Sequence, residues 1–538
     1  MRNLELPGRS AVRALNGMAA TSHPLATGAA LDVLKDGGNA MDAAVAACAV
    51  QCVVEPQSTG IGGDCFVLLA PGGGPRGAPR GDAEVVAFNG SGRAPAAATA
   101  EWYQEHGIAE IERNSPHAVT VPGAVDAWSR LLEDHGTRSL GELLQPAIAF
   151  ARDGYPIHER VAFDWSLEAD LLARDPAAKR IFLPDGRPPA VGSVHRQPEL
   201  AETLGRIAGE GRDGFYKGAV AEDIVTYLNG LGGLHTLDDF AAAGGEYVTP
   251  IKTDYRGHTV FECPPNGQGI IALQILNVLS GYDLTAMDPL SAERLHLEIE
   301  AARLAYQDRN AFVADPRQAE VPVEALLSET RAAELRAAIR PDRRLAELPP
   351  SNLPAHADTV YLCVVDRDRN AVSFINSVFS SFGSGLVSPE TGVNLQNRGQ
   401  GFVVDPQHPN CIAPGKRPLH TIIPGMLQKD GRTVMPFGVM GGQYQALGHA
   451  HFLTNLIDFE LGVQGALDLP RVFAPPEGPV DVESGVPAES VEALRTLGHD
   501  IAASVKPIGG GQAILIDWQT GTLTGGSDPR KDGCALGY

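Results

Sequence analysis

Residues 356–377, HADTVYLCVVDRDRNAVSFINS, place two apolar runs on either side of a charged turn and read as a β-hairpin. Thr359, Tyr361, Cys363 and Val365 share one face of the first strand, and Val360, Leu362 and Val364 share the other. Both faces are largely apolar, so the hairpin belongs inside a layered structure and is covered on both sides. If Asp366 and Asn370 close the turn, the register sets Thr359 opposite Ser377, to within one residue. Two hydroxyls then meet at the open end of a buried hairpin. A threonine in a strand is by itself ordinary, because β-branched residues suit pleated surfaces.

The segment ahead of the hairpin changes that reading. Residues 340–358, RPDRRLAELPPSNLPAHAD, carry four prolines, several charges and no sustained apolar period, the pattern of a linker or mobile tail. A flexible segment ending at Asp358 is what a chain needs if the bond before Thr359 is to be cut and the tail moved away. A freed Thr359 would carry a hydroxyl and an α-amine on one residue. An α-amine titrates near about 7.7–8.0, so it can accept the hydroxyl proton at neutral pH. Such a nucleophile requires an oxyanion hole, and FGVMGGQYQALGHA offers Gly441-Gly442 at the mouth of a helix. Alone, a glycine pair reads as a turn.

Other chemistries find less support. The chain has no G-x-S-x-G elbow, no GxxxxGK[ST] loop and no HExxH. His449 and His451 stand two apart on a predicted helix, point in different directions, lack a third ligand and read as helix-surface residues, so no metal is expected. IGGGQ at 508–512 lacks nucleotide-loop spacing, and no cofactor is expected.

Composition narrows the partners. The 538 residues are 43% hydrophobic and 20% charged, as in a globular protein. A formal net charge of −22 disfavours nucleic acid and anionic membranes, leaving small molecules or proteins. Seven cysteines without a CxxC pair read as free thiols in a reducing compartment. The N-terminal stretch shows no secretory h-region, and AMDAAVAACAVQCVV is too short to span a bilayer, so a cytoplasmic location is expected.

Residues 25–36 carry helical periodicity, break at Gly37-Gly38, and resume as a nearly all-apolar helix from Asn39 to about Val54, which should be buried. GIGGDCFVLLA and VVAFNGSGRAP read as strands, separated by a flexible loop, PGGGPRGAPRGDAE, at 71–84. The middle reads as mostly helical. After residue 359 the chain is rich in strands, among them HTIIPGMLQ and QAILIDW, which indicates an α+β or α/β sandwich.

Hairpin, leader and glycine pair occur together with the blocks GGNAMDAAVA, VPGAVDAW, LLQPAIAFARDG, LDDFAAAGGEYVTPI, APGKRPLHTIIP, MGGQYQA and GGSDPRKDG. In these the chain, from about Gly17 to Tyr538, resembles the γ-glutamyltransferase (glutathione hydrolase) family of N-terminal-nucleophile hydrolases. The resemblance implies an α+β fold, a four-layer αββα sandwich. It also implies self-cleavage into a large subunit, 1–358, and a small subunit, 359–538, held together as a heterodimer with room for a dimer of these. By position Thr359 matches the nucleophile, Ser377 the hydroxyl that steadies the new amine, and Gly441 and Gly442 the oxyanion glycines. The mechanism implied is attack on an amide carbonyl, an acyl-Thr359 ester and hydrolysis.

The substrate pocket departs from the transferases. Phe379, Arg398 and Gly401 stand where they place polar and acidic groups around a γ-glutamyl ammonium. Without a carboxylate partner a buried ammonium is costly, which argues against that group in its usual pose. His420-Thr421 replaces paired serines that hold a carboxylate. The family's arginine for that carboxylate falls between Asn89 and Arg93. Arg93 or Arg398 could clamp a carboxylate bidentately, and either also reads as a surface charge. Phe402 to Lys416 is short beside the transferases' lid, so water should reach the acyl-enzyme. The expected activity is hydrolysis of a small amide that carries a carboxylate. The alternatives are a true γ-glutamyl or glutathione hydrolase or transferase, an amidase for oxamate or a cephalosporin-type acylase, and an uncut binding protein.

Overall fold

Val360–Val365 and Ala371–Ser377 form the expected hairpin, with Val360 opposite Asn376 and Tyr361 opposite Ile375, a register that continues to Thr359 and Ser377. The computed structural model of the chain describes residues 8–72, 84–345, 348, 359–476 and 478–538. The 73–83 part of the predicted glycine-rich loop and most of the leader before Thr359 lie outside the described residues. Asp366 closes the hairpin turn. Its N–H reaches the Asn370 carbonyl at 3.1 Å, and its carboxylate accepts the N–H groups of Asp368, Asn370 and Ala40.

The hairpin is central to a seven-stranded sheet, between Met18–Thr21 and Asp64–Ala70. A second seven-stranded sheet faces it, with Arg432–Met440 between Gly510–Ile516 and Gly425–Lys429. Tyr361, Cys363 and Val365 pack between the sheets with Phe66, Met426 and Ile514. Leu362, Val364, Val372 and Phe374 face the other way, into a core built by Pro24–Lys35, Ala40–Val54 and Ala124–His135. Gly269–Leu279, Ala292–Phe312 and Tyr444–Ile457 cover the outer face of the second sheet. The result is the four-layer αββα sandwich. Every residue of Ala40–Val54 is buried, and Asn39 and Asp42 close a capping box at its start.

Two expectations change. HTIIPGMLQ becomes a strand only from Gly425. Pro424 has no N–H for a ladder, and His420 instead exchanges backbone bonds with Asn266 and Gln268, both at 2.8 Å. The middle of the chain is mostly helical, as expected, and Ile251–Tyr255 and His258–Glu262 add the edge hairpin of the second sheet. His449 and His451 are buried rather than at a helix surface. His449 Nδ1 lies 2.6 Å from Glu262, and His451 lies 3.1 Å from Glu298.

At the sheet interface the Tyr361 ring lies against Gly438, where a Cβ would come within 2.4 Å of it. Gly438→Ala should therefore lower stability by roughly 1–3 kcal/mol through overpacking. Gly465→Ala, whose Cβ would meet only Leu461 Cβ at 3.8 Å, should be neutral or mildly stabilising. Urea midpoints of the two variants against the parent chain check this, and equal midpoints would refute it.

Candidate active site

Thr359 is 1% exposed and stands at the entry to the central strand. Its Oγ1 lies 3.2 Å from Ser377 Oγ and accepts from Gln445 Nε2 at 3.4 Å. Gln445, in the first turn of Tyr444–Ile457, is itself fixed because its Oε1 accepts the Ile423 N–H at 3.0 Å. Ser377 Oγ also accepts the Phe379 N–H at 2.9 Å and Arg398 Nη2 at 3.3 Å.

Gly441 and Gly442 follow the strand Arg432–Met440 with φ of +121° and +59°, values that favour glycine. The Gly442 carbonyl is held by Gln268 Nε2 at 3.0 Å, and the Gly441 carbonyl by the Tyr444 N–H at 3.1 Å. Among the described residues neither glycine N–H has an acceptor. Thr359 and Gly441 border the same small cavity. The Thr359 hydroxyl and the first glycine of the turn therefore share one space.

Arg398 is fully buried. Its Nη1 donates to Thr421 Oγ1 at 2.9 Å, and its guanidinium stacks 4.0 Å over the Phe379 ring. Its buried Nε has no partner among the described residues. Burial pulls this guanidinium down to about 9, with the Asp64 charge opposing. Phe379 sits at φ +83°, a conformation that costs a non-glycine residue of order 1–3 kcal/mol.

His420 Nε2 lies 3.0 Å from Asp64 Oδ2. Burial, reinforced by Arg398, depresses its imidazole to about 3 against the pull of Asp64, so neutral His420 donates to the carboxylate. Asp64 also accepts Gln396 Nε2 at 2.9 Å and the Gly123 N–H at 3.2 Å. Thr421 is tied to the glycine turn through Gln268, whose Nε2 reaches the Thr421 carbonyl at 2.8 Å and whose Oε1 is held by Arg309.

The structure thus brings Thr359, Ser377, Arg398 and Thr421 into one hydrogen-bonded group, with Gly441-Gly442 beside it. Of the three remaining candidates His420 is held on Asp64, and the other two point elsewhere. Asn89 Nδ2 donates to Asn266 Oδ1 at 2.8 Å, one link away from His420. Arg93 pairs with Glu246 and Asp315 and donates to the Gly415 carbonyl. Sequence reasoning passed over Asp64, Gln268 and Gln445. Asp64 had a signal, a lone acid opening the otherwise apolar strand Asp64–Ala70. Gln445 lay in the MGGQYQA block with nothing in its spacing to mark it. Among the described residues the potential metal donors that cluster are His158, Glu159 and Asp532, and Asp532 already accepts the N–H groups of Arg160 and Val161.

Residues 26–538 match the family model described as gamma-glutamyltranspeptidase. A glutathione hydrolase-like YwrD proenzyme of Bacillus subtilis is 36% identical, with 97% of this chain and 98% of that protein covered. An oxamate amidohydrolase proenzyme of Klebsiella pneumoniae is 34% identical with the same coverage, 97% and 98%. The crystal structure of a cephalosporin acylase from Bacillus halodurans superposes with a TM-score of 0.91 at 41% identity, over 100% of this chain and 99% of that one. With a family match that leaves out only the first 25 residues, and relatives alike over nearly their whole length, the chain belongs to the γ-glutamyltranspeptidase family and has its N-terminal-nucleophile hydrolase fold.

Proposed function

We propose that the chain is an autoprocessing threonine amidohydrolase that acts on a small amide bearing a carboxylate on its acyl side. The observation that carries this reading is the Thr359 hydroxyl, 3.2 Å from Ser377 and beside the Gly441 turn at the head of a buried hairpin. Cleavage before Thr359 would release residues 1–358 and 359–538 as two associated subunits and give Thr359 a free α-amine. That amine takes the Oγ proton as Oγ bonds to the amide carbon, and the Gly441 and Gly442 N–H groups receive the oxyanion. The C–N bond then breaks, the nitrogen leaves with the proton, and water cleaves the acyl ester to a carboxylic acid. Names of relatives support this reading, since the Bacillus subtilis and Klebsiella proteins are called proenzymes and oxamate is a small amide with a carboxylate.

Arg398 is the carboxylate receptor. A buried guanidinium loses its hydration, and an anionic ligand offsets that loss most fully with two parallel hydrogen bonds. A γ-glutamyl group would bring its ammonium toward the same arginine. Asp64, the acid at hand, already accepts from His420, Gln396 and Gly123. This favours an acyl chain with a carboxylate and no amine over glutathione. Among the described residues no helix is long and apolar enough to cross a membrane, and the seven cysteines stand as free thiols, which supports a reducing, cytoplasmic compartment.

Intact mass of the purified protein should show two chains divided before Thr359, and Thr359→Ala should remain a single 56.7 kDa chain. A variant that still divides would sink the assignment. In matured enzyme Arg398→Leu should lower kcat/KM on oxamate or a glutaryl amide by roughly 100-fold, with Arg398→Lys a poor rescue because it lacks the planar fork. Equal rates in the parent and both variants would remove Arg398 from the pocket. The rate should rise with pH through about 7.7–8.0 as the α-amine loses its proton. His420, depressed to about 3, adds no limb near neutrality. A second limb at pH 6–7 that is absent in His420→Asn would contradict this.

A further inference from the structure

Glu262 and His449 are fully buried on the helical face of the second sheet, where that sheet splits. Gly425 is flanked by Glu262 on one side and Phe437 on the other. Ahead of it, Pro424 and the backbone bonds of His420 draw the chain out of the ladder. Two backbone N–H groups face the gap, that of Ile423 on the departing chain and that of Val439 on Arg432–Met440. The helix Tyr444–Ile457 fills the gap with two polar side chains one turn apart, Gln445 and His449. Gln445 Oε1 accepts the Ile423 N–H at 3.0 Å, and His449 Nε2 accepts the Val439 N–H at 3.2 Å. An imidazole nitrogen that accepts carries no proton, so the His449 proton is on Nδ1, which donates to Glu262 Oε1 at 2.6 Å.

A carboxylate is a costly group to bury for the sake of one amide. Burial pushes the Glu262 carboxyl above the ordinary carboxylate range, with His449 opposing. Its second oxygen has no hydrogen-bond partner among the described residues. The helix Gly269–Leu279 begins on a glycine against it, where a Cβ would come within 2.7 Å of the Glu262 Cβ. What the pair contributes is direction. With the proton of His449 held on Nδ1 by Glu262, the ring can only accept at Nε2, and Val439 is fixed two residues before Gly441. The other side of the strand is already held, since Val439 pairs with Gly511 and Met440 with Gly510. We infer that Glu262 and His449 are positioning residues for the hydrolysis, which set the end of Arg432–Met440 so that the Gly441 and Gly442 N–H groups meet the developing oxyanion. This rests on the reading proposed above, in which those N–H groups receive it. The same helix face carries Gln445 Nε2 to Thr359 Oγ1 at 3.4 Å, so the hydroxyl and the glycine turn are aligned on one rigid element.

The test uses matured enzyme with glutaryl-4-nitroanilide as substrate. His449→Leu fills similar space and removes both hydrogen bonds, whereas His449→Gln can still accept from Val439 and donate to Glu262. In His449→Leu kcat should fall roughly 10- to 100-fold with KM within about twofold of the parent, because displaced oxyanion donors are felt in the transition state. 4-Boronobutanoate, whose boron takes Thr359 Oγ as a fourth ligand and so mimics the tetrahedral state, should lose affinity in step with kcat/KM. His449→Gln and Glu262→Gln should each keep kcat within about fivefold of the parent, since both retain a donor and an acceptor along the line. An unchanged kcat in His449→Leu, a loss expressed in KM instead, or an equal loss in His449→Gln would overturn the inference and leave amide hydrolysis standing. A parent that cleaves no amide fails the amidohydrolase reading and takes this inference with it. Should His449→Leu not mature, His449→Gln decides alone: kcat within about fivefold of the parent supports the pair's role, and a larger loss overturns it.

Discussion

Everything at the site depends on one strand pairing. The Val360–Val365 and Ala371–Ser377 hairpin is locked in register at the middle of its sheet, and that register sets the Thr359 hydroxyl 3.2 Å from Ser377. A slip of one residue would turn every side chain of the strand over and exchange the two apolar cores it separates. Because Tyr361 and Cys363 feed the core between the sheets while Leu362 and Val364 feed the helical core, both cores penalise that slip. The position of one hydroxyl is thus enforced by side chains that have no part in the chemistry.

A second constraint is electrostatic. Arg398, His420 and Asp64 are buried together, and each limits the others. Burial and Arg398 keep His420 neutral, His420 donates to Asp64, and Asp64 steadies the guanidinium. Phe379 adopts its uncommon backbone conformation with its ring under that guanidinium and its N–H on Ser377. Position 401 is a glycine and brings no charge. The charged groups that meet in the pocket are thus one guanidinium and one carboxylate, with a neutral imidazole between them.

Much of this was legible in the sequence where the signal is local. The hairpin register followed from alternation and the Asp366–Asn370 turn, and the buried helix Ala40–Val54 from an unbroken apolar run behind Gly37-Gly38. What the sequence left hidden is long-range. Asp64, 295 positions before Thr359 in the numbering, meets His420 only because strands far apart in the chain are neighbours in space. His449 and His451 looked like surface residues because helical period says nothing of a layer that buries a helix all round. Arg93 and Arg398 are indistinguishable as letters. Only the fold draws Arg93 to Glu246 and Asp315 and sets Arg398 beside Ser377.

The strand order has one more consequence. The hairpin 360–377 is flanked by Met18–Thr21 and Asp64–Ala70, and Gly425–Lys429 pairs with His258–Glu262, so segments from either side of residue 359 interleave in both sheets. A cut before Thr359 would leave two chains neither of which owns a complete sheet. Folding must precede such a cut, and afterwards a molecule that lost its structure would need a bimolecular encounter to regain it. The lifetime of the cut form would then be set by how slowly it opens rather than by an equilibrium. The interleaved sheets would make maturation a one-way step.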